Sequence, residues 1–166
     1  ILGHGRTVIN IDQWNDFFMW KKIGEIPLRD GEMMKIRMVK APDAYHRDSI
    51  MSFFAHLKGI WLWHLNMTLG GELDELECRF YLGFVNGRII SNVSTWEYGP
   101  IGIVGHLYTV EEYRRKGACT ELMKAQVQDF LSRGGKILIG GFKPSSYPIA
   151  KDVGFKSIID NSEVMR

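Results

Sequence analysis

The residues from Tyr108 to Met123 read YTVEEYRRKGACTELM. Arg114, Arg115, Lys116 and Gly117 stand where a strand-like stretch gives way to a helix-like one. The first turn of a helix leaves backbone N–H groups unpaired and carries the positive end of the helix dipole. Such an end favours an anion, phosphate above all. Gly117 removes a side chain where a ligand would approach the backbone, and three cations add charge beside it. The local residues also admit a plainer reading, in which EEYRRK is a solvated turn whose charges pair among themselves. The stretch is neither a Walker loop nor a dinucleotide fingerprint, since GxxxxGK[ST] and GxGxxG are both missing.

The rest of the composition bounds what such a site can serve. A chain of 166 residues with 45% hydrophobic and 24% charged residues is expected to be one globular unit with a real core. Its net charge of +2 gives no global field for nucleic acid, so an anion site must be local. The two cysteines, Cys78 and Cys119, are too few for a disulfide scaffold and fit a reducing, cytoplasmic setting. With no CxxC, no HExxH and five scattered histidines, no metal site is expected. The longest apolar window, about Gly59 to Leu65, is too short for a membrane span and contains His64. No signal peptide is visible, and a first residue of Ile rather than Met fits a piece of a longer protein.

Positioning the basic turn requires elements on both sides of it. Residues 1–31 are the least legible and form an N-terminal extension of open role: an added strand, a pocket cover or a domain junction. RDGE at 29–32 reads as a turn. MMKIRMVKAPD alternates as a strand with Met34, Ile36 and Met38 on one face, ending at Pro42. YHRDSIMSFFAHLKG places Ile50, Phe53, Phe54 and Leu57 at helical spacing, with Gly59 as its stop. IWLWHLNMTL adds a second short apolar segment. CRFYLGFV, Asn86-Gly87 and RIISNVSTWEY make a hairpin. Gly99-Pro100 turns the chain into IGIVGHLYTV, where Gly102 and Gly105 permit a bulge. The helix after the basic turn puts Leu122, Met123, Val127, Phe130 and Leu131 on one face. KILIGGF reads as a short buried strand, SYPIAKDVGF as a short helix ending at Gly154, and FKSII and EVMR as closing strands. The fold class is α+β (mixed α/β): a central, mostly antiparallel twisted sheet flanked by helices.

LYTVEEYRRKGACTELM resembles the strand-loop-helix of the GNAT acyltransferases, whose pattern runs roughly L-Y-V-x-P-E-Y-R-G-x-G-I-G-x-x-L-M. Leu107, Tyr108, Glu112, Tyr113, Arg114, Gly117, Leu122 and Met123 match it. The core signature is Q/R-x-x-G-x-G/A. Arg114 and Gly117 satisfy its first two fixed positions, and small Cys119 takes the third. KPSSYPIAKDVGF is similar to the family's later N-x-x-A-x-x-L-Y-E-K-L-G-F, with Ile149 and Val153 at the leucines and Gly154-Phe155 at the end. The resemblance covers residues 32–166, read as a GNAT acyltransferase domain.

The resemblance implies acetyl-CoA, or another acyl-CoA, as co-substrate and an amine as acceptor, small molecule or peptide. The backbone of Leu107, Tyr108 and Thr109 would bond the pantetheine arm. Arg114 and the N–H groups of Arg115, Lys116, Gly117, Ala118, Cys119 and Thr120 would hold the pyrophosphate. Direct attack of the amine on the thioester needs a base, a polarised carbonyl and a proton for the thiolate. The family's usual tyrosine acid is replaced here by Ala150, and its asparagine by Lys143. Tyr147, one helical turn earlier, is the candidate acid. His106 is the first candidate base because histidine titrates near neutrality, and alternation puts it with Val104 and Tyr108. Glu97 is the second. Cys119 is a weaker nucleophile candidate, its thiol lowered by a helix start but covered by CoA. The aromatics Phe53, Phe54, Trp61, Trp63, Trp96 and Tyr98 surround the expected acceptor side. Two further readings stand beside the enzyme: a non-catalytic acyl-CoA-binding module of a larger protein, and a fold whose basic turn binds another phosphate ligand or none. A homodimer through the closing strands is a further expectation.

Overall fold

The computed structural model describes residues 20–73 and 75–158, with side chains from residue 24 onward. Six strands form one sheet in chain order: β1 (Trp20–Pro27), β2 (Met33–Ala41), β3 (Glu77–Val85), β4 (Arg88–Tyr98), β5 (Ile101–Thr109) and β6 (Ile137–Gly140). Neighbours from β1 to β5 are antiparallel, and β5–β6 is parallel. The four helices are α1 (Arg47–Phe53), α2 (Ile60–Gly70), α3 (Ala118–Ser132) and α4 (Tyr147–Val153).

Turn chemistry explains the meander. Asn86 and Gly87 both take positive φ (50° and 76°), the geometry of a tight hairpin turn that matches strand twist. Gly99, with φ 56°, reverses β4 into β5 beside Pro100. A parallel return cannot use a hairpin, so α3 serves as the crossover from β5 to β6. The sheet separates two cores. Ile50 and Phe54 of α1 and Leu65 and Leu69 of α2 pack with Val39, Phe80, Leu82 and Trp96 on one face. Ala118, Leu122 and Ala125 of α3 pack with Met34, Ile36, Val93 and Val104 on the other. β3 and β4 are buried on both faces and neither alternates: β3 runs mostly apolar, while β4 buries Ser91, Asn92, Ser94, Thr95 and Glu97 among its apolar residues.

Several expectations change. Residues 20–27, whose role the sequence left open, are the edge strand of the sheet, paired with β2. Gly59 does not stop α1, which ends at Phe53; it precedes α2 instead, at φ 59°. Leu131 faces solvent, and the inner face of α3 carries the polar pair Gln126 and Asp129. The buried-strand reading of KILIGGF fails for Ile137 and Ile139, which lie exposed because β6 is an edge strand with no helix among the described residues over that face. Residues 155–158 form no strand, and the remainder of the closing-strand and homodimer expectation lies outside the described residues. No helix among the described residues is long and apolar enough to cross a membrane.

Candidate functional site

β5 and β6 pair from Ile101↔Ile137 to Val104↔Gly140 and then part. From Gly105 to Thr109, β5 runs on without β6 beside it. The parting coincides with a bulge. Ser94 faces Gly105 and Asn92 faces Tyr108, so two steps on β4 span three on β5. His106 sits inside this extra residue with φ 48°, a left-handed conformation that histidine tolerates better than most side chains. Asn92, fully buried, donates to the His106 carbonyl at 2.9 Å and to Ser94 Oγ at 2.9 Å. Ser91 Oγ donates to the Tyr108 carbonyl at 3.3 Å. Sequence reading missed Asn92 as the pin of the bulge; its signal was a poor strand former inside the otherwise buried strand IISNVSTWEY.

The bulge corrects the expected alternation. Val104 and Leu107 face α3, whereas His106 and Tyr108 both turn to the α1–α2 face. There His106 is ringed by Trp96 (5.1 Å between centroids), Phe54 (5.6 Å), His64 (5.6 Å) and Trp61 (6.0 Å). His64 Nδ1 lies 3.4 Å from His106 Nε2, one ring nitrogen donating and the other accepting. Burial, followed by the neighbouring His64 and His56, pushes the His106 imidazole down to about 4. Burial also lowers His64, and burial followed by the Arg114 charge lowers His56, which stacks on Tyr108 at 3.9 Å. These three imidazoles are therefore uncharged near neutral pH.

The basic turn lies at the far end of the same strand. A single 3₁₀ turn at Glu111–Tyr113 leads into it. Arg115 and Gly117 both take positive φ (63° and 88°) ahead of α3. The first backbone bond of the helix runs from Glu121 N–H to the Gly117 carbonyl. Among the described residues, the N–H groups from Arg115 to Thr120 find no protein acceptor. This gives six consecutive donors at the positive end of a 15-residue helix, the form of an anion nest.

A residue absent from the sequence-based site holds this nest in shape. Arg29, in the β1–β2 turn, donates its own N–H to the Lys116 carbonyl (3.1 Å) and its Nη1 to the Arg115 carbonyl (3.2 Å). Lys116 Nζ pairs with Asp30 at 2.7 Å, and Tyr113 Oη donates to Glu32 at 3.2 Å. Arg114 turns back, its Nε donating to the Thr109 carbonyl at 2.9 Å and its guanidinium lying 5.8 Å over the Tyr108 ring. Two of the three expected cations thus shape the loop through protein contacts.

The other candidates scatter. Glu97 is 4% exposed and lies on the α3 face, opposite His106. Its carboxylate accepts from Arg79 Nη1 at 2.6 Å and from Arg133 Nη1 and Nη2, each at 2.8 Å. A carboxylate held by two guanidiniums on the wrong face is an ion-pair anchor, which corrects its reading as a base. Cys119 departs from expectation too: burial raises its thiol to about 11, outweighing the helix start. Tyr147 opens α4, 41% exposed, with Lys151 Nζ 5.7 Å over its ring, while Ala150 is buried. Tyr147 makes no contact with the His106 ring. No group of three or more His, Cys, Asp or Glu among the described residues is placed to hold a metal ion.

The profile of the acetyltransferase (GNAT) family matches residues 40–144. No curated protein sequence matches the chain significantly. Among solved structures it is similar to the aminoglycoside N-acetyltransferase AAC(6')-Iy bound to a CoA bisubstrate analogue (16% identity, TM-score 0.56, 76% of this chain and 93% of that one). It is also similar to a predicted acetyltransferase with acetyl-CoA from Clostridium acetobutylicum (16%, 0.56, 74% and 90%). A third similar structure is an acetyltransferase from Trypanosoma brucei (16%, 0.56, 76% and 95%).

Proposed function

The chain belongs to the GNAT acetyltransferase family, and from that premise we propose that it transfers an acetyl group from acetyl-CoA to a primary amine by direct attack. The observation that carries this reading is the run of unpaired N–H groups from Arg115 to Thr120, continuous with the strand edge that β6 leaves free. A pyrophosphate fits the nest, and the pantetheine arm fits along Leu107, Tyr108 and Thr109. The thioester then reaches the bulge at His106. Structural neighbours holding CoA or acetyl-CoA support an acyl-CoA as the co-substrate.

The amine nitrogen attacks the thioester carbonyl carbon, the C–S bond breaks, and the thiolate leaves with CoA. His106 takes the proton that the amine loses. Its low pKa keeps it unprotonated and available at neutral pH, at the cost of weak basicity. Tyr147 is the tyrosine closest in sequence to the family's acid position and is proposed as proton donor to the thiolate. A thiolate whose thiol has an ordinary pKa near 8.5 also takes its proton readily from water. The buried Ala150 at the usual acid position favours a second reading, acyl-CoA binding without transfer.

Thermal unfolding with CoA, acetyl-CoA and ATP tests the first step. A ligand at about 100 times its Kd adds about 2.7 kcal/mol to the folded state. Stabilisation by both CoA species and not by ATP is expected; no shift from CoA at millimolar concentration overturns the reading. Release of free thiol in the presence of an amine then separates transfer from binding alone.

A further inference from the structure

We propose that the acceptor is a small monoamine with an aromatic or comparably apolar body, and that Trp61 is the wall against which that body packs. This rests on the acetyl-transfer reading above and specifies its second substrate.

The amine must come to the α1–α2 side of the bulge, where the His106 side chain points. Among the described residues, the rings within 6.0 Å of His106 are those of Phe54, Trp61, His64 and Trp96. No carboxylate belongs to this set. Two buried acids among the described residues, Glu97 and Asp43, are committed elsewhere. Glu97 binds Arg79 and Arg133 across the sheet, and Asp43 holds His46 at 2.7 Å. Arg114 places a full positive charge beside this face, over Tyr108 and acting on His56. A polycation would meet neutral walls and a guanidinium at the entrance. A single ammonium can rest against an indole face and lose its proton to react.

Trp61 is the side chain with room for such a ligand. Its ring meets His106 edge-on at 81°, yet the residue is 62% exposed. Its neighbours in the ring, Phe54 and Trp96, are buried in the core and have no surface left to offer. Trp63, two residues on and 58% exposed, makes no ring contact with the histidines, so it serves as a matched control.

The test compares rates of thiol release from acetyl-CoA with 2-phenylethylamine and tryptamine against spermidine and kanamycin, beside calorimetry of CoA binding. Arylalkylamines should exceed the polycations in kcat/KM by about tenfold or more. Trp61→Ala should raise KM for the arylalkylamines by about tenfold and leave CoA affinity unchanged, with Trp61→Phe restoring most of the loss. Trp63→Ala should change neither. Preference for spermidine or kanamycin overturns the proposal, as does equal loss for all amines in Trp61→Ala. CoA binding with no amine consumed also overturns it and leaves a binding module. Failure to bind CoA removes the acetyl-transfer reading first, and the calorimetry identifies that case.

Discussion

At His106 a left-handed backbone and a neutral imidazole occur in one residue. Asparagine tolerates the same backbone region, so His106→Asn removes the ring while sparing the bulge. We expect kcat to fall by about 10²-fold with CoA affinity intact, read by steady-state rates and calorimetry. The ring also makes stability depend on pH. Its folded pKa, about 4, lies below the ordinary 6.5, so between these values the unfolded chain binds more protons than the fold. Stability is therefore full above 6.5 and declines as pH drops toward 4, by a contribution on the order of 3 kcal/mol. His64 and His56, also lowered, act in the same direction. Urea unfolding at pH 7 and pH 4.5 should show this decline in the parent chain and a smaller one in His106→Asn.

At the scale of elements, the β1–β2 turn and the basic loop form one clamp. Arg29 satisfies the carbonyls of Arg115 and Lys116 from outside, which leaves the N–H groups of the loop facing away from the protein's own acceptors. Arg29→Ala releases both the side-chain bond and the charge. CoA affinity should fall by about tenfold, as for one lost charge-assisted hydrogen bond. Affinity for acetyl-pantetheine, which lacks the diphosphate, should hold. An equal loss for both ligands would mean that Arg29 supports the fold in general and not the anion nest. The bulge is a second device of this kind, with Asn92 supplying from β4 the donor that β5 lacks where it leaves the ladder.

Across the whole molecule, the sheet separates an ionic network on its α3 face from the aromatic face around His106. The α3 face contains Glu97 between Arg79 and Arg133, and Asp129 accepting from Tyr81 Oη at 2.8 Å and from Arg133 Nε at 3.0 Å. Burial, with the Asp129 charge, raises the Tyr81 phenol well above its usual range. Glu97→Leu strips Arg79 of its buried carboxylate, leaving it only the more exposed Glu77 at 2.8 Å, and should destabilise the fold by about 3 kcal/mol. Its kcat/KM per folded molecule should match the parent, measured below the lowered melting temperature. A large loss of kcat with unchanged stability would instead return Glu97 to the chemistry.

Much of this was legible in the residues because it depends on local rules. Asn86-Gly87, Gly99-Pro100 and the helix start after Gly117 fix backbone geometry within a few positions of themselves, so the hairpins and the helix start could be read directly, while the basic turn read equally as an anion site or a solvated turn. The family pattern from Leu107 to Met123 rests on the same local signals. What the sequence could not show depends on contacts between distant segments. One extra residue at His106 moves it off the face of Val104, since strand alternation has a period of two and a bulge breaks it. Arg29 meets Arg115 across 86 positions, and Glu97 meets Arg133 across 36. Only the folded sheet decides that His106 joins the aromatic face and Glu97 the ionic one, because a strand residue's neighbours are set by register and packing and not by its place in the chain.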